Sequence, residues 1–222
     1  MPRARTLSDE VVLERAMAVF WQNGYAGTSL RDLTRATGLS TAALYHRYAD
    51  KDGLFVAVLH RYAEEGLVAR IARLAGTDPP LAAISGFFDE LIAASLADPH
   101  RRGCLLVNTA LDGAAVSEAA RRLVRERFAS MEAFFADCLR RAVAAGALAA
   151  DTDVAAAATA LLGAVFALRV LARLDPDPAR MRAVADQAIA SLPRPQAARR
   201  PRASPRRRGG PDPSRSIGGN QP

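Results

Sequence analysis

The chain has 222 residues, half of them apolar, with a formal net charge of +7. That supplies enough apolar side chain for a sizeable core and excludes a wholly disordered protein, while no stretch reaches the eighteen or so uninterrupted apolar residues of a membrane span. The charge is lopsided: eight arginines and one aspartate fall after Pro193, which leaves residues 1–192 neutral, with 22 charges of each sign.

The opening "MPRARTLSDE" lacks the apolar block of a signal peptide, so a cytoplasmic location is expected. Val12, Ala16, Val19 and Phe20 recur at the spacing of one buried helical face, behind Thr6 or Ser8 as a cap. Asn23-Gly24 offers the left-handed stop that ends this helix. Ser29 caps a second helix, whose Leu30 and Leu33 face inward and which Gly38 terminates. Leu39 fills the turn. Ser40 caps a third helix carrying Leu44 and Tyr48, and Asp50 caps a fourth, which carries Leu54, Val58 and Tyr62 towards Gly76. Pro79 and Pro80 forbid helix across "GTDPP".

Beyond that break the periodicity predicts helices at about 81–97, 104–111, 117–145, 153–173 and 179–192. No alternating run of strand length occurs, so the expected fold is all-α. Three parts follow: an N-terminal three-helix module with a helix-turn-helix over residues 6–66, a C-terminal helical bundle over 67–192, and a tail over 193–222. The tail is rich in Pro, Gly, Ser and Arg and has almost nothing to bury, the composition of a disordered segment.

The second and third helices are too short to stand alone, since isolated helices below about 12–15 residues are marginal in water. Two such helices around a glycine turn, steadied by a preceding helix, have the helix-turn-helix pattern. Its logic is that the first helix crosses the DNA backbone while the second enters the major groove. The second must then expose small or hydrogen-bonding side chains, which Thr41, Ala42, Ala43, Tyr45 and His46 do, while Leu44 and Tyr48 hold it to the core. Each of these residues also suits an ordinary helix surface when taken singly.

The stretch "GYAGTSLRDLTRATGLSTAALYHRYADKDGLF" resembles the DNA-binding module of the TetR/AcrR family of transcriptional regulators. The matching features are Gly24-Tyr25, Thr28-Ser29, Leu33, Gly38-Leu39-Ser40, Leu44-Tyr45-His46, the aromatic Tyr48, Lys51 and Leu54. The resemblance implies a phosphate at Ser29, a guanine edge or phosphate for Arg31, and base approach by Thr41 and Ala42 beside the capping Ser40. It further implies phosphate or sugar contacts for Tyr45 and His46, or a base for His46, and a phosphate for Lys51. Lys51 is the single lysine among thirty basic residues. The same resemblance implies a homodimer that reads a palindromic double-stranded operator and pairs through helices 153–173 and 179–192. The first of these, "DVAAAATALLGAVFALRVL", is apolar nearly all round, and Ala156, Ala160, Gly163 and Ala167 form a small-residue stripe. Such a helix needs burial on all sides, inside its own subunit or in a four-helix dimer bundle.

In the C-terminal part, Phe87, Phe88, Leu91, Cys104, Asn108, Phe128, Met131, Phe134, Phe135 and Cys138 are candidates to line an apolar pocket. Core packing at helical spacing explains any one of them equally well. Asn108, polar within "CLLVNTAL", needs a hydrogen-bond partner. "RRGCLLVNTALD" resembles a segment of a family branch with cysteine-based sensing of electrophiles or oxidants. Cys104 follows Arg101, Arg102 and Gly103 at an expected helix start, a setting that favours thiolate.

No phosphate-cradling glycine loop, nucleophile triad or metal-ligand spacing is present, so neither an enzyme nor a cofactor or metal is expected. The function expected is a repressor released from its operator by a small apolar effector. The alternatives are a repressor that senses through Cys104 and a helical interaction module without DNA binding.

Overall fold

Helix follows helix in a computed structural model that describes residues 7–195, with Ser8 at the start of the first helix but making no cap bond through its side chain. The Thr6 cap and the tail beyond 195 lie outside the described residues. The helices are α1 (Asp9–Gly27), α2 (Leu30–Thr37), α3 (Thr41–Tyr48), α4 (Lys51–Ala63), α5 (Ala69–Leu74), α6 (Pro80–Leu96), α7 (Leu105–Leu111), α8 (Glu118–Ala144), α9 (Val154–Leu174) and α10 (Pro178–Ala190). Among the described residues there is no strand.

Local chemistry accounts for these boundaries. The Ser29 hydroxyl accepts from the Asp32 amide while the Asp32 carboxylate accepts from the Ser29 amide, a reciprocal capping box. Ser40, Asp50, Ser117, Asp153 and Asp177 cap α3, α4, α8, α9 and α10 through side-chain oxygens. Gly38 ends α2 with φ 73°. Gly24, at φ 72°, interrupts α1 and releases Tyr25 from the helical path.

The helices α1 to α4 close on a small core of Val12, Ala16, Phe20, Leu33, Leu44, Leu54 and Phe55. Phe55 and Leu59 complete the inner face of α4 that Leu54 and Val58 begin. No loop separates this module from the bundle. Glu64–Val68 form a π-helical turn that joins α4 to α5 in one rod, so the boundary expected at residue 66 falls inside continuous helix. Arg141 of α8 then holds the end of the rod through the Ala75 and Thr77 carbonyls and the Asp78 carboxylate.

The bundle core is aromatic. Phe87 meets Phe135 at 5.1 Å and Phe134 at 5.7 Å between ring centres, and Phe88 lies beside Phe135. The α9 helix is long and apolar enough, by length and composition, to cross a membrane, yet it packs between α8 and α10. Its inner residues Ala158, Leu161, Leu162, Val165 and Leu168 are buried there. Its own subunit does not bury the rest. Ala156, Ala160, Gly163 and Ala167 stay exposed, with Val170 and Leu174 continuing the bare face.

Candidate nucleic-acid interface and adjoining cavity

The α3 helix presents Thr41, Ala42 and His46 to solvent with Tyr45 half-buried between them. Its opposite side is fixed. Leu44 is buried, Arg47 donates to the Leu7 carbonyl at 3.0 Å and to Asp9 at 3.2 Å, and the Tyr48 hydroxyl reaches Asp9 at 3.1 Å. The Ser40 hydroxyl is taken by the Ala43 amide at 3.2 Å, so in this state Ser40 caps the helix.

Arg31 is exposed on α2. Ser29 is more committed than its sequence position suggests: its hydroxyl donates to Asp32 at 2.6 Å, and Asp32 also holds its amide. These bonds hold the Asp32 carboxyl below the usual carboxylate range. The first amides of α2, from Leu30 and Arg31, lie beside this cap, at the end of the helix where the dipole favours an anion.

Tyr25, set free by the turn at Gly24, lies against Phe20 and Phe55 and bonds through its hydroxyl to Asp52. The Lys51 ammonium sits over its ring, 4.2 Å from the centre. Burial holds this ammonium below the ordinary lysine value. Residues distant in sequence thus place one cation at the start of α4, beside α3.

The bundle contains a cavity of about 190 Å³ where the two parts meet. Of the residues expected to line a pocket, Phe87, Leu91, Cys104, Phe128 and Met131 face it. Phe88, Phe135 and Cys138 do not line it and are fully buried core, and Phe134 packs with them. Asn108 faces a neighbouring groove with Asp112 and Arg173, and its side-chain amide donates to the Arg102 carbonyl at 2.9 Å. That bond answers the polar group the sequence left unexplained.

Sequence reasoning missed the polar side of the cavity: Trp21 from α1, Tyr62 from α4, Arg70 from α5, Ser95 from α6 and Arg169 from α9. One signal was available, since Arg169 stands alone in an otherwise uncharged apolar run. Trp21 and Tyr62 meet edge to face at 5.0 Å, and Gly66 and Leu67 of the π-helical turn also line the wall. Arg102 departs from expectation too. Its guanidinium is held by Asp98 at 3.0 Å and lies over Trp21 at 4.2 Å, so it is occupied away from the Cys104 thiol. That thiol neighbours the Tyr62 hydroxyl instead. Burial pushes the Cys138 thiol up to about 11. Among the described residues no three potential ligands gather as a metal site.

Two family models match the chain: bacterial regulatory proteins, tetR family, over residues 12–58, and tetracyclin repressor-like, C-terminal domain, over 80–188. The HTH-type transcriptional regulator YezE of Bacillus subtilis (strain 168) is 31% identical over 194 residues, 86% of this chain and 100% of YezE. The HTH-type transcriptional repressor ComR of Escherichia coli (strain K12) is 33% identical over 107 residues, 48% of this chain and 51% of ComR. Among solved structures, a cysteine-substituted form of the TetR family regulator CifR, in complex with a 26-bp double-strand operator, is 34% identical. It covers 86% of this chain and 100% of its own, with a TM-score of 0.78.

Proposed function

Since the chain belongs to the TetR family of DNA-binding transcriptional repressors, we propose that it binds a palindromic operator as a homodimer and leaves it when a small effector enters the bundle cavity. The family is one of regulators and not of enzymes, and the work of this chain is done on DNA, in the cytoplasm. The observation that carries the reading is the α3 face: Thr41, Ala42, Tyr45 and His46 point outward from a helix whose other side is locked to α1. A recognition helix needs both properties, because its register in the groove is only as definite as its attachment. Residues 6–66 act as the DNA-binding part and 67–192 as the regulatory and dimerising part.

Contacts divide by chemistry. Lys51, Tyr45 and the start of α2 at Ser29 and Arg31 hold phosphates, while Thr41, Ala42 and His46 approach base edges. Lys51→Ala is expected to weaken binding to all duplexes and to lower the salt dependence by about one ion per subunit. Thr41→Val is expected instead to change which operator is preferred at little cost to overall affinity. Binding titrations across a salt series, on a selected palindrome and on random duplex, separate the two effects. An unchanged salt slope for Lys51→Ala overturns its assignment.

The exposed small-residue stripe of α9, beside α10, supports the dimer. Ala160 of α9 shares one shallow groove there with Ala183, Val184 and Ala188 of α10. Release follows from where the cavity lies, between Trp21 of the DNA-binding part and the rod of α4 and α5. A few ångströms of tilt in that rod would change the separation of the two recognition helices. An affinity difference of about 1–3 kcal/mol between the two states gives a 5- to 150-fold change in operator binding.

A sensing role for Cys104 is the second reading, favoured by its place in the cavity wall. The occupied guanidinium of Arg102 argues against it. Cys104→Ser is therefore expected to bind operator and to release it in response to effector as the parent does. Loss of release in that variant would make the cysteine the trigger.

A further inference from the structure

The polar groups around the cavity are nearly all donors. The Trp21 indole Nε1 is buried without an acceptor. Arg70, buried and 5.3 Å from the centre of the Phe87 ring, donates through Nε to Glu90 at 3.0 Å. Glu90 is shared with Arg73 at 2.5 Å, so one carboxylate answers two guanidinium groups. Arg169 donates to the Ser95 hydroxyl at 3.1 Å, and among the described residues no carboxylate pairs with it. The carboxylate in the wall, Asp98, is engaged by the Arg102 side chain and by the Arg102 and His100 amides. Burial first, and Cys104 next, raise the Tyr62 phenol above the usual tyrosine value, so its hydroxyl keeps its proton. Burial lowers Arg70, the Glu90 bond opposes that, and the charge of Arg169 lowers it further.

A half-buried cation with only a hydroxyl for company leaves its site short of negative charge. A buried indole N–H without an acceptor is a second donor left unanswered. The remaining wall is apolar: Phe87, Leu91, Phe128 and Met131. An engineered apolar cavity of about 150 Å³ holds benzene. The cavity here, at about 190 Å³, has room for one such ring and a small acidic group.

Building on the effector-release reading above, we infer that the ligand of this cavity is a small aromatic carboxylate, with its ring against the phenylalanine wall and its carboxylate at Arg169 and the Trp21 N–H. Its charge supplies what Arg169 lacks, and guanidinium suits a carboxylate because it presents parallel N–H donors. The bound acid would touch α1 through Trp21 and α9 through Arg169, and so connect the DNA-binding part directly to the dimerising helix.

The test uses the full chain with benzoate and phenylacetate as probes and their primary amides as neutral partners of matched shape. Calorimetry is expected to show each acid binding at least tenfold more tightly than its amide. Arg169→Met should abolish that preference, and Trp21→Phe, which keeps the ring but removes the N–H, should weaken acid binding severalfold. Should Arg169→Met fail to fold, Arg169→Lys, which keeps the charge but loses the paired donors, should reduce the preference instead. Amides binding as well as acids, neither acid binding, or a preference that survives in Arg169→Met would each overturn the inference. Operator gel shifts run alongside keep the two readings apart. Acid binding that depends on Arg169 without operator release supports this inference and defeats the release reading. Release by the neutral amides alone does the reverse.

Discussion

Gly163→Arg is expected to give a folded subunit that is monomeric and has lost operator binding. A Cβ built on Gly163 meets no other heavy atom within 4 Å, so the subunit itself tolerates a side chain there. The position lies on the exposed stripe with Ala156, Ala160 and Ala167, the face that the proposed dimer sets against a second α9. An arginine would insert a long charged side chain into that seam, and burying a charge without a partner costs several kcal/mol. The consequence on DNA is larger still. A dimer engages its second half-site at high effective concentration, which contributes about 10²–10⁴ in affinity, and a monomer forfeits it. Sedimentation velocity reads the assembly, gel shift on a palindrome reads the binding, and circular dichroism checks the fold. A variant that remains dimeric and binds as the parent does would remove α9 from the interface.

Gly53→Ala is the second change with a large expected effect, and it acts through the backbone of the recognition helix. Ala49 has φ 68° and ψ −55°, and the Asp50 amide donates to the Tyr48 carbonyl at 2.8 Å. That is a tight γ-turn of the strained hand. It folds the start of α4 beneath the end of α3, where Asp50 caps the Gly53 amide at 2.7 Å. A Cβ at Gly53 would fall on the Tyr48 carbonyl oxygen, a backbone atom with no rotamer to escape into. The turn must open, at a cost of about 1–3 kcal/mol if it behaves as other overpacked sites do. Opening it moves α3 relative to Lys51 and Tyr25, so the base and phosphate contacts proposed above could no longer be made together. Operator affinity is expected to fall at least tenfold, while the main thermal transition of the bundle persists. Parent-like affinity in Gly53→Ala would show that the α3–α4 turn does not set the docking geometry.

The helices, their caps and the helix-turn-helix were legible in the residues because their causes are local. A cap joins residues three apart, a buried stripe repeats every three or four residues, and a glycine at positive φ acts where it stands. Ser29, Gly38, Ser40 and Asp50 could therefore be assigned their structural work, and Leu33 and Leu44 their burial, from spacing alone. The same locality explains what was missed. The cavity draws residues from α1, α4, α5, α6, α7, α8 and α9, and no short-range pattern connects Trp21 with Tyr62 or Arg169 with Ser95. Phe88 and Phe135 share the apolar spacing of Phe87 and Met131, and only the rotation of α6 and α8 in the packed bundle turns the first pair into the core and the second towards the cavity. Arg102 precedes Cys104 by two residues, yet packing turns its guanidinium onto Trp21 and Asp98. The α9 helix is the sharpest instance. Its composition demands burial on every side, but which face its own subunit covers, and which it leaves bare, depends on where α8 and α10 come to rest.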